Sequence, residues 1–300
     1  MSRVILFGAG ASYGNGHVVP ERPPLGNRLF DELVRCFPQS WGAMPTEVAD
    51  AFRANFEQGM SLVWERHSQA TASLMQHMAL YFVQFRPKTV GTTLYCRLVR
   101  AILDNGSEKD VLLSTLNYEC LLDMSIWGAG RGICYGGAAA AGQLSLLKLH
   151  GACNFLPEGI GASRGVTFSR GVSFGTSIRP TGDLNEVVAF CLGNNALPPA
   201  MCLFMPGKPV QVSSAQIEQM QNEWREAVSS AERVAIVGVF PNRQDNHLWD
   251  CLADTKAEIL YVGGEEPFRD WCSTNRPTLP KRFLSDRFDT AFDDLVELMA

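Results

Sequence analysis

The segment Val4-Ile5-Leu6-Phe7-Gly8-Ala9-Gly10-Ala11-Ser12 constrains the fold more than any other part of the chain. Four consecutive apolar residues have the length of a strand buried on both faces, and the small residues after them allow a sharp turn into a helix. In a doubly wound α/β domain that order brings backbone amides and a helix N-terminus up to a phosphate. The glycine spacing departs from the dinucleotide fingerprint, because Gly8 and Gly10 are followed by Gly14, with Tyr13 where the third glycine belongs. Residues 25–37 read as an amphipathic helix, where a dehydrogenase would carry a second strand ending in Asp or Glu. A plain dehydrogenase is therefore disfavoured.

Residues 3–7 are the first predicted strand, and 8–26 a Gly/Pro-rich loop over its carboxyl end. Leu25, Leu29, Leu33 and Phe37 recur at helical spacing. Residues 44–105 stay helical, with Leu74, Met78, Tyr81, Phe82 and Phe85 on one stripe and Leu94, Leu98, Ala101 and Ile102 on another, so they are read as a helical insertion within a single domain, residues 1–300. Strand character returns at 111–115, 144–149, 234–238 and 258–262, with helices at 119–127, 217–231 and 246–255 between them. This alternation predicts an α/β fold, a Rossmann-like doubly wound parallel sheet with its chemistry beyond the strands' carboxyl ends. A duplicated hexapeptide fills 163–174, Ser-Arg-Gly-Val-Thr-Phe followed by Ser-Arg-Gly-Val-Ser-Phe. Its period-two alternation predicts a strand or hairpin near the mouth of the site, and replication slippage in a tolerant loop explains it equally well.

A formal charge of −5 gives no overall basic footprint, so direct nucleic-acid binding is not expected. Nine scattered cysteines without a C-x-x-C pair argue against a disulfide framework and a zinc ribbon. With a strand starting at residue 3 and no apolar run of membrane-spanning length, a cytoplasmic location without membrane attachment is expected. His17, His67, His77 and His247 have no ligand-gathering spacing, and Asp289, Asp293 and Asp294 read as a solvated helix face.

Three predicted strand ends carry Gly8-Ala9-Gly10-Ala11-Ser12, Thr115-Leu116-Asn117-Tyr118-Glu119 and Lys148-Leu149-His150-Gly151. Together they resemble the sirtuin superfamily, and within it the sirtuin-like NAD hydrolases of bacterial antiphage defence, which share a Gly-Ala-Gly-Ala-Ser turn, a Thr-x-Asn-Tyr-Asp segment and a Leu-His-Gly. Residues 224–252 add a fourth likeness, in which Trp224, Gly238, Asp245 and His247 follow that family's Trp … Gly-Tyr-Ser … Asp-x-His order. Glu119 replaces the family's Asp, and Val239-Phe240 replaces Tyr-Ser. The Gly-Ile-Pro-Asp-Phe-Arg run and four-cysteine zinc module of the deacylases are absent, which argues against deacylation and a bound metal.

The resemblance implies cleavage of the nicotinamide–ribose bond of NAD, as substrate, to nicotinamide and ADP-ribose. That reaction develops oxocarbenium character at the ribose carbon, so the sugar must be held and one nucleophile delivered. Asn117 suits the holding role because an amide both donates and accepts without burying charge. An imidazole titrates near neutral pH, which makes His150 the candidate general base. Gly8, Ala9, Gly10, Ala11 and Ser12 are expected to offer amides and a hydroxyl to the pyrophosphate, with Thr115 and Gly238 beside them. Asp245 is expected either to accept from a ribose hydroxyl or to cap the following helix. The resemblance further implies a homo-oligomer and a partner such as a HerA-type ATPase or an Argonaute-like protein. Two alternatives remain open to the sequence: a silent NAD or ADP-ribose sensor, and a deacylase or ADP-ribosyltransferase.

Overall fold

A computed structural model describes residues 2–300 apart from 165, 168–171 and 242–244 and the side chains of residues 246 and 247. The chain begins with β1 (Arg3–Phe7), α1 (Ala9–Gly14), β2 (Val18–Val19) and α2 (Gly26–Cys36). Helices α3 (Thr46–Ala54), α4 (Phe56–Arg66) and α5 (Thr71–Phe82) follow, then β3 (Arg86–Pro87) and α6 (Leu94–Asp104). The middle holds β4 (Val111–Thr115), α7 (Leu121–Gly128), β5 (Gly132–Cys134), β6 (Gln143–Lys148), β7 (Phe155–Glu158), β8 (Ser177–Pro180) and α8 (Leu184–Leu192). The last part runs α9 (Ser214–Ser230), β9 (Arg233–Val237), α10 (Asn246–Asp254), β10 (Glu258–Val262), α11 (Glu265–Asn275), β11 (Lys281–Ser285) and α12 (Phe292–Met299).

Seven strands form one sheet in the order β11-β10-β9-β1-β4-β6-β5, and each neighbouring pair runs parallel. The fold is α/β with a parallel, Rossmann-like sheet, as the alternation predicted. Along β1 the side chains alternate between two cores. Ile5 and Phe7 pack with the α2–α7 side and α12, while Val4 and Leu6 pack with α9, α10 and α11. Both faces are covered, so the strand reads as an unbroken apolar run rather than an alternating one. β1 sits where the strand order reverses, with β4 on one side and β9 on the other. A crevice therefore opens beyond its carboxyl end.

Two expectations are corrected. Residues 9–14, read as loop, are the helix α1. The sheet does not end at β10, because β11 adds a parallel edge strand; its sequence Lys-Arg-Phe-Leu-Ser is charged and half-buried, as an edge tolerates, so it lacks a buried-strand signature. Beside the duplication, Phe155–Glu158 and Ser177–Pro180 pair antiparallel. The duplication itself falls partly outside the described residues, with Phe174 bridging Val212.

Candidate active site

A cavity of about 1330 Å³ lies along the carboxyl ends of β6, β4, β1, β9, β10 and β11. Gly8, Ala9, Gly10, Asn117, His150, Gly238 and Asp245 all line it, so residues far apart in the chain share one wall. Ala11, Ser12 and Thr115 stand behind that wall and are buried.

The turn after β1 is built differently from the phosphate cradle its sequence suggests. Gly8 N–H donates to Val237 O (2.9 Å), Gly10 N–H to Gly238 O (3.0 Å) and Ala11 N–H to Gly8 O (3.0 Å). Three of the amides expected to face a phosphate are thus used within the protein, and Ala9 is the exposed residue of the turn. The glycines answer to packing against the turn after β9. A Cβ on Gly8 would lie 2.6 Å from Gly238 O, and one on Gly10 would lie 2.8 Å from Gly238 Cα. Gly238 itself has φ +68°, and its Cβ would meet Ala11 N at 2.1 Å. Only glycine fits there.

Ser12 is also reassigned. Its hydroxyl, expected to face the pyrophosphate, is 1% exposed. It donates to Glu119 Oε1 (2.5 Å), lies 3.0 Å from Tyr95 Oη and accepts from Asn117 Nδ2 (2.8 Å). Asn117 Nδ2 also donates to Gly8 O (3.0 Å). Both amide protons are committed, so the part of Asn117 left for the cavity is its acceptor oxygen. The sequence reading, which let Asn117 donate as well as accept, is narrowed accordingly. Thr115 Oγ1 accepts from Asn117 N–H (3.1 Å), which shapes the turn.

Glu119 Oε2 accepts from Leu121 N–H (2.5 Å) at the start of α7. The longer arm that distinguishes it from Asp therefore serves Ser12 and the helix end at once. Burial holds its carboxyl above the ordinary carboxylate range, against the lowering effect of the Ser12 and Leu121 bonds. Burial, and then the charge of Glu119, raise the Tyr95 phenol well above its usual value, so it keeps its proton.

His150 follows β6 and is 3% exposed. Its carbonyl accepts from Cys202 N–H (2.8 Å). Gly151 turns the chain at φ +70°, where a Cβ would stand 2.1 Å from Ala200 O. Beneath this strand end Lys148 is wholly buried and pairs with Asp123 at 2.9 Å. Burial works against that charge, but the neighbouring groups, Asp123 first among them, together raise it, and the ammonium holds its proton beyond the ordinary lysine range.

Asp245 precedes α10 without a side-chain cap bond. It lies 3.4 Å from Lys208 Nζ, which also pairs with Glu57 and sits over the Phe204 ring at 4.6 Å. Sequence reasoning missed this triad, since Lys208 lies in a Gly-Lys-Pro turn and Glu57 in the helical block. His17, which has no ligand-gathering spacing in the sequence, lines the cavity as well. Arg22 and Arg97 line the cavity too, and they stack on Tyr13 (5.4 Å) and Phe292 (4.2 Å). Among the described residues no cluster of His, Cys, Asp or Glu is arranged to hold a metal, and no helix is long and apolar enough to cross a membrane. The side chain of His247 lies outside the described residues.

No known protein family matches the sequence, and no curated protein matches it. Among solved structures the chain is similar to a Sir2 bound to acetylated peptide, at 13% identity over 99% of this chain and 92% of that one, TM-score 0.47. It is also similar to two Sir2-homologue mutants in complex with ADP ribose. One is 13% identical over 99% of this chain and 91% of that one, TM-score 0.49. The other is 15% identical over 99% and 90%, TM-score 0.47.

Proposed function

We propose that the chain hydrolyses NAD at the nicotinamide–ribose bond, releasing nicotinamide and ADP-ribose, and acts in the cytoplasm as the NAD-depleting effector of an antiphage system. The observation that carries this reading is that Asn117 and His150 line the same cavity, with both Asn117 amide protons held by Gly8 O and Ser12 Oγ so that its oxygen is the group left to accept. An acceptor oxygen beside an imidazole is what a water nucleophile needs. Asn117 accepts a hydrogen bond from the water and fixes its direction, while His150 takes the one proton the water loses as its oxygen bonds to the ribose carbon and the C–N bond breaks to release nicotinamide.

The dimensions agree with the substrate. The cavity crosses five inter-strand spacings, roughly 24 Å at ~4.8 Å each, enough for an extended dinucleotide. Arg22 and Arg97 supply positive charge for a pyrophosphate, and Asp245 an acceptor for a ribose hydroxyl. The defence role, a homo-oligomeric state and a partner such as a HerA-type ATPase or an Argonaute-like protein are supported by the four motifs; a monodisperse monomer at every concentration in light scattering counts against the assembly.

The test is chromatography of NAD incubated with purified protein beside His150→Ala. Nicotinamide and ADP-ribose are expected from the wild type, and a rate lower by about 10²–10⁴-fold from the variant, the range removed with a general base. Unchanged cleavage by His150→Ala sinks the mechanism. Bound but intact NAD in the wild type sinks hydrolysis and leaves a sensor.

A further inference from the structure

Three carbonyls of the 115–119 turn accept hydrogen bonds from the segment that carries His150. Leu149 N–H donates to Thr115 O (3.0 Å) and Cys153 N–H to Tyr118 O (2.9 Å), both backbone bonds compatible with almost any side chain. The third depends on one residue: Lys148 Nζ donates to Glu119 O at 2.9 Å. The same ammonium donates to Asp123 Oδ2 at 2.9 Å, and Asp123 Oδ1 accepts from Tyr135 Oη at 2.5 Å. Lys148 and Asp123 are wholly inaccessible, and neither lines the cavity.

A buried ion pair is a weak source of stability, because desolvating two charges offsets most of their attraction, and packed apolar groups of similar volume serve as well. Stability alone therefore does not explain a lysine at the base of the site. What it does supply is a directed bond to the peptide group two residues beyond Asn117. The geometry points to Lys148 as a positioning residue: its ammonium, anchored by Asp123, holds the Glu119 carbonyl against the end of β6 and so sets the separation of Asn117 from His150. This rests on the hydrolase reading above. A water nucleophile must meet both groups at once, and misplacing a reacting group by about 1 Å costs up to about 10²-fold in rate.

The test combines Lys148→Met, Asp123→Val and Tyr135→Phe, which replaces the pair and its hydroxyl together and leaves no buried charge alone. Thermal midpoint and NAD-cleavage kinetics are measured on the full chain beside the wild type. The midpoint is expected to stay near the wild-type value, while kcat falls about tenfold or more and KM changes by less than about twofold. A merely structural role would not produce that split. Wild-type kcat in the combined variant overturns the positioning role alone. A wild-type chain that leaves NAD intact overturns the hydrolase reading and this proposal with it. Should the combined variant fail to fold, Lys148→Met with Asp123→Asn takes its place with the same expected and overturning results, since it removes the ammonium and keeps an acceptor for Tyr135.

Discussion

Ser12 has one proton to give, and its destination orders the hydrogen bonds around it. Glu119 Oε1 accepts that proton at 2.5 Å, so Tyr95 and Asn117 are left to donate to Ser12 Oγ, and the Asn117 amide nitrogen is committed on the protein side. The carboxylate at 119 thus acts on the site through two hydrogen bonds without lining the cavity. Its raised folded-state pKa has a definite sign for stability. The folded chain binds the Glu119 proton more tightly than the unfolded chain, so its contribution is fully present below the ordinary glutamate value of about 4.3. It is lost as pH rises through the raised value. Urea midpoints taken across that window should decline for the wild type by an increment that Glu119→Gln lacks. Parallel profiles for the two proteins would place Glu119 in water rather than in the core.

Among the elements, the turns after β1 and β9 behave as one unit. Gly238→Ala is expected to destabilise by more than about 1 kcal/mol, because a positive φ and a contact at 2.1 Å act together. Gly14→Ala is the control, since Gly14 is helical and its Cβ would find only Phe288 Cβ at 3.6 Å. There the change should be neutral or stabilising by up to about 1 kcal/mol. Thermal melts of the two variants check the pair, and equal effects would contradict the close packing of the turns. These glycines were legible as a strand-to-helix turn, but their reason was not. The sequence suggested approach to a phosphate, whereas their neighbour is another turn more than 200 residues away in the chain. β11 escaped notice for the opposite cause: an edge strand with two leading cations has little buried surface to advertise.

Across the whole molecule the Glu57–Lys208–Asp245 triad joins the helical block, the turn at 205–209 and the start of α10 around the cavity. Among the described residues Lys208 is the cation that pairs with both of these buried carboxylates. Lys208→Met is expected to cost about 3–5 kcal/mol in urea unfolding, as breaking one side of a buried ion pair does. A loss below about 1 kcal/mol would mean that water reaches the triad. Local patterns were enough to predict a parallel α/β sheet, its major strands and the strand ends bearing Asn117 and His150, because periodicity and turn chemistry act within a few neighbouring residues. Tertiary structure alone decided the order of the strands, the commitment of the Asn117 amide protons to Gly8 O and Ser12 Oγ, the burial of Ser12 and the arrival of Lys208, Glu57 and His17 at the cavity. Each of these depends on which groups meet after the sheet has assembled, and contacts between distant segments leave no local period in the chain.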